Sequence, residues 1–120
     1  MKKIFIFGSG DVVKDICLLI NKINDINPTW EIMGFIDRDP ALIGQEILGL
    51  PIISLDKITI VNNYYGICGI SKPKVKERVV NDEILHNGYK LATITHPDIE
   101  YRDDVVIGKG TIIFSGVKFG

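Results

Sequence analysis

Cysteine, histidine and tryptophan are scarce in this chain, at two, two and one among 120 residues. Two cysteines cannot build the disulfide framework of a small secreted domain. Cys17 falls on an apolar helical face and Cys68 inside an apolar strand pattern, where thiols are ordinarily buried, and neither has companions at metal-ligand spacing. No metal site is therefore expected. Long apolar runs are also missing, and nothing approaches the ~20 residues needed to span a bilayer. The opening MKKIFIFGSG has too short an apolar run for a secretory signal, and Gly8 and Asp11 interrupt it, so it predicts a first strand. A surplus of charge of one sign is lacking as well: the net charge is −1, with acids and bases interspersed. That excludes the basic surface that would suit nucleic acid or an acidic membrane. Together these absences favour a cytoplasmic location.

What is present reads as an α/β protein. Lys3 to Phe7 is a short apolar run ending at Gly8-Ser9-Gly10, as in a buried strand of a parallel sheet. Val12, Val13, Ile16, Cys17, Ile20 and Ile23 recur at helical spacing, and the connection is expected at Asn24 to Asn27, ahead of Pro28. Trp30 to Ile36 is the second strand and completes a βαβ unit. Ala41 to Leu50 reads as an irregular loop, Pro51 to Ile53 as a short strand, and Leu55 to Ile58 as a brief helix. Tyr64 to Ile70 is a fourth strand, with Gly66 and Gly69 marking close backbone approaches. Ser71 is placed to cap a helix whose first turn holds Pro73 and whose buried stripe is Val75, Val79 and Leu85, with Gly88 after its end. Leu91 to Ile94 is a fifth strand. Residues 1–94 are thus expected to form a Rossmann-like parallel-sheet domain.

The turn Gly8-Ser9-Gly10 lies between a strand and a helix, where free N–H groups and the helix dipole can hold an anion or a carbonyl-rich ring. The same glycines could simply make a tight turn. The dinucleotide fingerprint calls for a third glycine where this chain has Val13, and Asp11 puts negative charge where a pyrophosphate would sit; both count against NAD. Asp37 stands at the carboxyl end of the second strand, where a carboxylate can accept hydrogen bonds from ribose hydroxyls or a base edge, although Asp37-Arg38-Asp39-Pro40 is also an ordinary turn sequence. Gly69-Ile70-Ser71 ends the fourth strand and would face the same crevice, as a backbone contact or as a plain turn. His86 falls in the last turn of a helix, which suits a surface cation, and His96 precedes a proline and more readily orders a turn than performs catalysis. No nucleophile-elbow motif is present.

The most specific pattern lies in residues 95–120. Cut into sixes, this stretch puts Tyr101, Ile107, Ile113 and Phe119 in one register, and Ile99, Val105, Thr111 and Val117 in another. A six-residue period with the Ile107-Gly108-Lys109-Gly110-Thr111-Ile112 pattern predicts the start of a left-handed parallel β-helix, whose coils need neighbours to bury their inner face.

With these residues set out, the chain resembles, over its whole length, the sugar acyltransferases of the sialic-acid O-acetyltransferase and bacillosamine-pathway acetyltransferase type. Gly8-Ser9-Gly10-Asp11-Val12-Val13 stands at the family's glycine loop, with Val12 in place of its histidine and Val13 in place of its following small residue. Gly34-Phe35-Ile36-Asp37 matches its second-strand motif, with Arg38 in place of a second acid. Ile67 to Arg78 matches a strand end followed by a basic helix. Thr95-His96-Pro97-Asp98-Ile99 and Ile107 to Ile113 match its junction and hexapeptide signatures.

The resemblance implies a two-part acetyltransferase. Its α/β domain would hold a nucleotide-activated sugar, with contacts expected from Gly8, Ser9, Gly10, Asp11, Asp37, Arg38, Gly69, Ile70 and Ser71. Its β-helix would trimerise, bind acetyl-CoA between subunits and supply a histidine as general base for attack of a sugar amine or hydroxyl on the thioester. That histidine is expected beyond Gly120, so no catalytic residue is expected here, and the chain as given is expected to be inactive and to trimerise weakly or not at all. The competing readings are a non-catalytic nucleotide- or dinucleotide-binding module, and hexapeptides that serve assembly alone.

Overall fold

The computed structural model describes residues 1–58 and 63–97, together with the backbone of 112–114 and 117–119. Strand β1 (Lys2–Phe7) is followed by helix α1 (Asp11–Ile26), and β2 (Trp30–Ile36) returns parallel to β1. The expected βαβ unit is present. Helix α1 runs three residues past the expected Ile23, because Asn24 remains helical and uses its side chain to fasten the next turn. Its Oδ1 accepts from the amides of Thr29 (2.9 Å) and Trp30 (3.0 Å), and its Nδ2 donates to the Trp30 carbonyl at 2.7 Å.

The stretch 41–50, expected to be irregular, contains strand β3 (Glu46–Ile47), paired antiparallel with β4 (Leu50–Ile53). Leu48 (φ 52°) and Gly49 (φ 79°) form the turn, and both lie in the left-handed region favoured in two-residue hairpins. A single 3₁₀ turn at Leu55–Lys57 follows. Strand β5 (Tyr64–Cys68) pairs parallel with β1 on the side opposite β2, and β6 (Lys90–Leu91) pairs with β5. The main sheet therefore has six strands, in the order β3-β4-β2-β1-β5-β6, and is parallel except for β3. The additional strand is the one hidden in the glycine-containing loop. The fifth expected strand, Leu91 to Ile94, is divided: Leu91 ends β6, while Ile94 begins β7 (Ile94–Thr95) in a second sheet.

Period-two alternation in β1 sends Ile4 and Ile6 to the face covered by α1, with Val13, Ile16, Ile20 and Phe35. Phe5 and Phe7 go to the opposite face, with Val79, Ile84 and Tyr89. That second face is closed by helix α2 (Pro73–Arg78), which continues directly into a π-helical segment, Val79–Leu85. Two features of this region correct the sequence reading. Lys72, not Ser71, is the residue before the helix, and no side chain caps it; Pro73 at the first position needs no partner for an N–H it lacks. The buried stripe is Val79 with Ile84, whereas Leu85 is exposed. The reason is the wider π turn, in which the His86 amide reaches back five residues to the Asn81 carbonyl (3.2 Å). The wider turn carries Ile84, five residues after Val79, onto the buried face beside Glu83 and leaves Leu85 outside. Gly88 adopts φ +85° and donates to the Leu85 carbonyl at 3.1 Å, ending the run as expected.

In the second sheet β7 pairs parallel with β8 (Ile112–Phe114), and β8 pairs antiparallel with β9 (Val117–Phe119). A β-helix keeps advancing, so the reversal from β8 to β9 is not a β-helical coil, and none is seen among the described residues. Most of the hexapeptides, including Tyr101, Val105, Ile107 and Thr111, lie outside the described residues.

Candidate functional site

In the sheet order the chain leaves β1 to one side through β2 and to the other through β5, so the switch point lies at the carboxyl ends of β1 and β5. Crevices in open parallel sheets form at this place, because the two connections diverge there and leave strand ends uncovered. Three strand ends meet here through backbone bonds: the Gly8 amide donates to the Ile36 carbonyl (2.8 Å) and the Gly69 amide to the Phe7 carbonyl (2.8 Å). Gly8 has φ +122°, and a Cβ there would press on the Ile70 side chain at 3.2 Å, so the turn requires glycine for both conformation and space.

Two adjoining cavities open at this edge. The smaller, ≈ 120 Å³, runs from Phe7 and Gly8 past Asp37 and Arg38 to Ile70, Arg78 and Glu83. The larger, ≈ 370 Å³, shares Ile36, Asp37, Arg38 and Glu83 and extends to Ser54, Leu55, Asp56 and Asn87. Of the residues expected from the sequence, Gly8, Asp37, Arg38 and Ile70 line these cavities directly. Ser9 joins them through its hydroxyl, which donates to Oδ2 of Asp37. Gly69 sits beneath, its amide tied to β1. Gly10 and Asp11, at the exposed start of α1, and Ser71, also exposed, line neither cavity.

Asp37 is therefore held from two sides, since its Oδ1 also accepts from the Asp39 amide at 2.9 Å. Each carboxylate oxygen can accept a second bond, so the group retains capacity for ligand donors while its orientation is fixed. Across the larger cavity the Ser54 hydroxyl bonds Asp56, and that hydrogen bond, with Lys57 nearby, keeps the Asp56 carboxyl below its ordinary value.

The sequence reading missed Glu83, Arg78, Ser54, Asp56 and Asn87. Glu83 is 5% exposed, and its Oε2 lies 2.7 Å from Arg78 Nη1 and 3.0 Å from Arg38 Nε. Asn87 donates its side-chain amide to the Glu83 carbonyl at 2.8 Å. Helical spacing puts Glu83 four residues after Val79, on the inward face, but an acid does not stand out on a stripe sought among apolar residues. The arginines at positions 38 and 78, each able to neutralise a buried carboxylate, were a second signal. Both histidines stand apart from these cavities: His86 is exposed at the end of the π segment, and His96 is buried after β7. No group of three or more metal-ligating side chains occurs among the described residues, and none of their helices is long and apolar enough to cross a membrane.

A family model for the PglD N-terminal domain matches residues 3–82, which include both strand ends, Asp37, Arg38 and Arg78. The chain belongs to that family. Among curated proteins it is 28% identical over 112 residues to the GDP-perosamine N-acetyltransferase of Escherichia coli O157:H7, covering 90% of this chain and 49% of that protein. Among solved structures it is similar to the acetyltransferase domain of PglB from Neisseria gonorrhoeae FA1090, with a TM-score of 0.68 and 19% identity, covering 92% of this chain and 52% of that one. The second match speaks for the Rossmann-like α/β fold. The chain spans about half the length of the curated relative it matches.

Proposed function

We propose that this PglD N-terminal domain holds a nucleotide-activated sugar for an acetyltransferase that moves acetyl from acetyl-CoA to a sugar amine or hydroxyl. The observation that carries the reading is the convergence of Gly8, the Ser9–Asp37 pair and Ile70 on a crevice at the sheet's switch point. Asp37 accepts from ribose hydroxyls or a base edge, the side-chain-free Gly8 turn lets ligand atoms approach the backbone, and Ile70 supplies an apolar wall. Gly10, Asp11 and Ser71 belong to the rim and contact only the outer part of a ligand. The relative named GDP-perosamine N-acetyltransferase supports a sugar carried on a nucleoside diphosphate and favours nitrogen over oxygen as acceptor.

In this reading residues 1–94 select the substrate and residues 95–120 begin the β-helix that supplies acetyl-CoA contacts, the general base and trimerisation. The six-residue period that aligns Tyr101, Ile107, Ile113 and Phe119 supports such a coil. No described residue is assigned to the transfer step. A cytoplasmic location fits the supply of acetyl-CoA and nucleotide sugars.

A thermal-shift panel tests the proposal, because a ligand that binds the folded state raises apparent stability with the logarithm of its concentration over Kd. Nucleoside diphosphates and their amino sugars are expected to stabilise the chain. A shift with NAD alone would overturn the reading in favour of a dinucleotide-binding module. With acetyl-CoA and nucleotide amino sugars the chain as given is expected to form no acetylated product, and turnover well above background would refute the assignment of transfer to the β-helix.

A further inference from the structure

The geometry points to Glu83 as a positioning residue that sets Arg38 and Arg78 as an anion-binding pair for the diphosphate of the ligand. This rests on the nucleotide reading above. One carboxylate oxygen, Oε2, serves both guanidinium groups, at 3.0 Å from Arg38 Nε and 2.7 Å from Arg78 Nη1. The Glu83 side chain is 7% exposed, whereas those of Arg38 and Arg78 are 70% and 39% exposed. The anchor is thus buried and the cations reach outward into the crevice. A guanidinium carries five N–H donors in a rigid fork, and the contacts among the described residues engage one on each arginine.

Charge in the crevice is divided accordingly. Arg78 lines only the smaller cavity, beside the Gly8 turn, and Asp56 lines only the larger one, with Ser54 and Asn87. Asp37 lies between them, tied to Ser9 and to the Asp39 amide. At the smaller cavity Arg38 and Arg78 balance Glu83 and Asp37, whereas at the larger Arg38 alone faces Asp37, Glu83 and Asp56, so of the two an anion is favoured at the smaller. Donor-rich hydroxyls are favoured at the acidic end. Glu83 follows Val79 by four residues, which sets it on the same inward face of the helix. An acid at position 38 would face Glu83 with like charge, so Arg38, Glu83 and Arg78 form a matched set.

Isothermal titration of the chain with UDP, GDP, the two nucleosides and inorganic pyrophosphate tests the inference. The preferred diphosphate is expected to bind at least about tenfold more tightly than its nucleoside, as charge-assisted hydrogen bonds to two arginines require. Arg38→Gln and Arg78→Gln are each expected to weaken the diphosphate by about tenfold and leave the nucleoside unchanged. Glu83→Gln, folded by circular dichroism, is expected to weaken the diphosphate several-fold and to flatten its salt dependence. Arg38 is exposed, so Arg38→Gln keeps the test decisive even where Glu83→Gln unfolds. Nucleoside binding without a diphosphate preference would overturn the inference and leave the nucleotide reading standing. Tighter diphosphate binding by Glu83→Gln would overturn it too, because Glu83 would then be a competitor of the anion. Failure of every nucleotide and nucleoside to bind would overturn both.

Discussion

A Cβ placed on Gly69 would lie 2.8 Å from Cγ1 of Val13, so the first helix and the end of β5 interlock through a missing side chain. Val13 is fully buried and stands where the dinucleotide fingerprint has its third glycine. That glycine normally lets helix and strand pack closely. Here the close approach is kept by moving the small residue to the neighbouring strand. Val13 therefore reflects an exchange of packing partners and is not by itself a mark against a nucleotide in the crevice.

Gly69→Ala should destabilise the chain by about 1–3 kcal/mol, since the added methyl also meets Ile16 and Ile6 at 3.3 Å and must displace all three. Val13→Ala alone leaves a cavity. The double variant should be more stable than the sum of the two losses predicts, because the shortened Val13 side chain makes room for the methyl. Urea unfolding followed through Trp30, the single tryptophan, which is buried at the amino end of β2, gives each value. Strict additivity would show that the two residues do not share this space.

Asn24→Ala should cost about 1–3 kcal/mol, as two backbone amides and one carbonyl lose their side-chain partner in a part-buried turn. That turn lies at the end of the sheet opposite Asp37, so ligand affinity of the folded variant should be unchanged. A loss of affinity equal to the loss of stability would mean that the α1–β2 connection shapes the crevice.

The contrast between these elements explains what the sequence disclosed. The βαβ unit was legible because β1 and α1 carry their periodicity without interruption, and the glycine turn between them has one geometric solution. Asp37 and Gly8 were legible for the same reason, as ends of strands already assigned. The hairpin of β3 and β4 was hidden because it depends on Leu48 adopting a left-handed conformation that nothing in a leucine signals. Glu83 was hidden because it is an acid on a face read for apolar residues, and Ile84 because the π segment widens the turn after Val79. The sequence therefore revealed the β1–β2 side of the crevice and concealed its α2 side.

Alkaline pH should unfold the chain through groups that are buried in their neutral forms. Burial pushes the Cys17 thiol up to about 11 and raises that of Cys68; burial and the nearby Tyr64 push the Tyr89 phenol up to about 12. In each case the folded state holds its proton longer than the unfolded chain does. Stability is complete below the unfolded values of about 9 and 10 and is lost as pH rises toward about 11 and 12. Urea midpoints should accordingly fall between about pH 9 and pH 12, and both thiols should resist alkylation at pH 8 until the chain unfolds. The Tyr89 hydroxyl is buried without a hydrogen-bond partner among the described residues. Tyr89→Phe should therefore be neutral or stabilising by up to about 1 kcal/mol, and should remove the part of the decline above pH 10. A clear loss of stability in that variant would refute the assignment of an unpaired hydroxyl.

Asp37 and Ser9 join the ends of β2 and β1 by a single side-chain bond, and removing either end separates two roles of the carboxylate. Ser9→Ala leaves Asp37 fixed by the Asp39 amide and frees one acceptor, so stability should fall by no more than about 1 kcal/mol and nucleotide affinity should change little. Asp37→Asn keeps the shape but removes the charge and one acceptor oxygen, so bonds from the Ser9 hydroxyl and from ribose hydroxyls are no longer charge-assisted. Its stability loss should also be near 1 kcal/mol, while affinity for a nucleoside should fall by about tenfold or more, as expected for losing charge-assisted bonds to the ligand. Titration of both variants with the nucleoside alone isolates this end of the crevice from the arginines. Equal loss in Ser9→Ala and Asp37→Asn would mean that the pair acts only by joining the strands. Loss confined to Asp37→Asn would mean that its carboxylate meets the ligand directly.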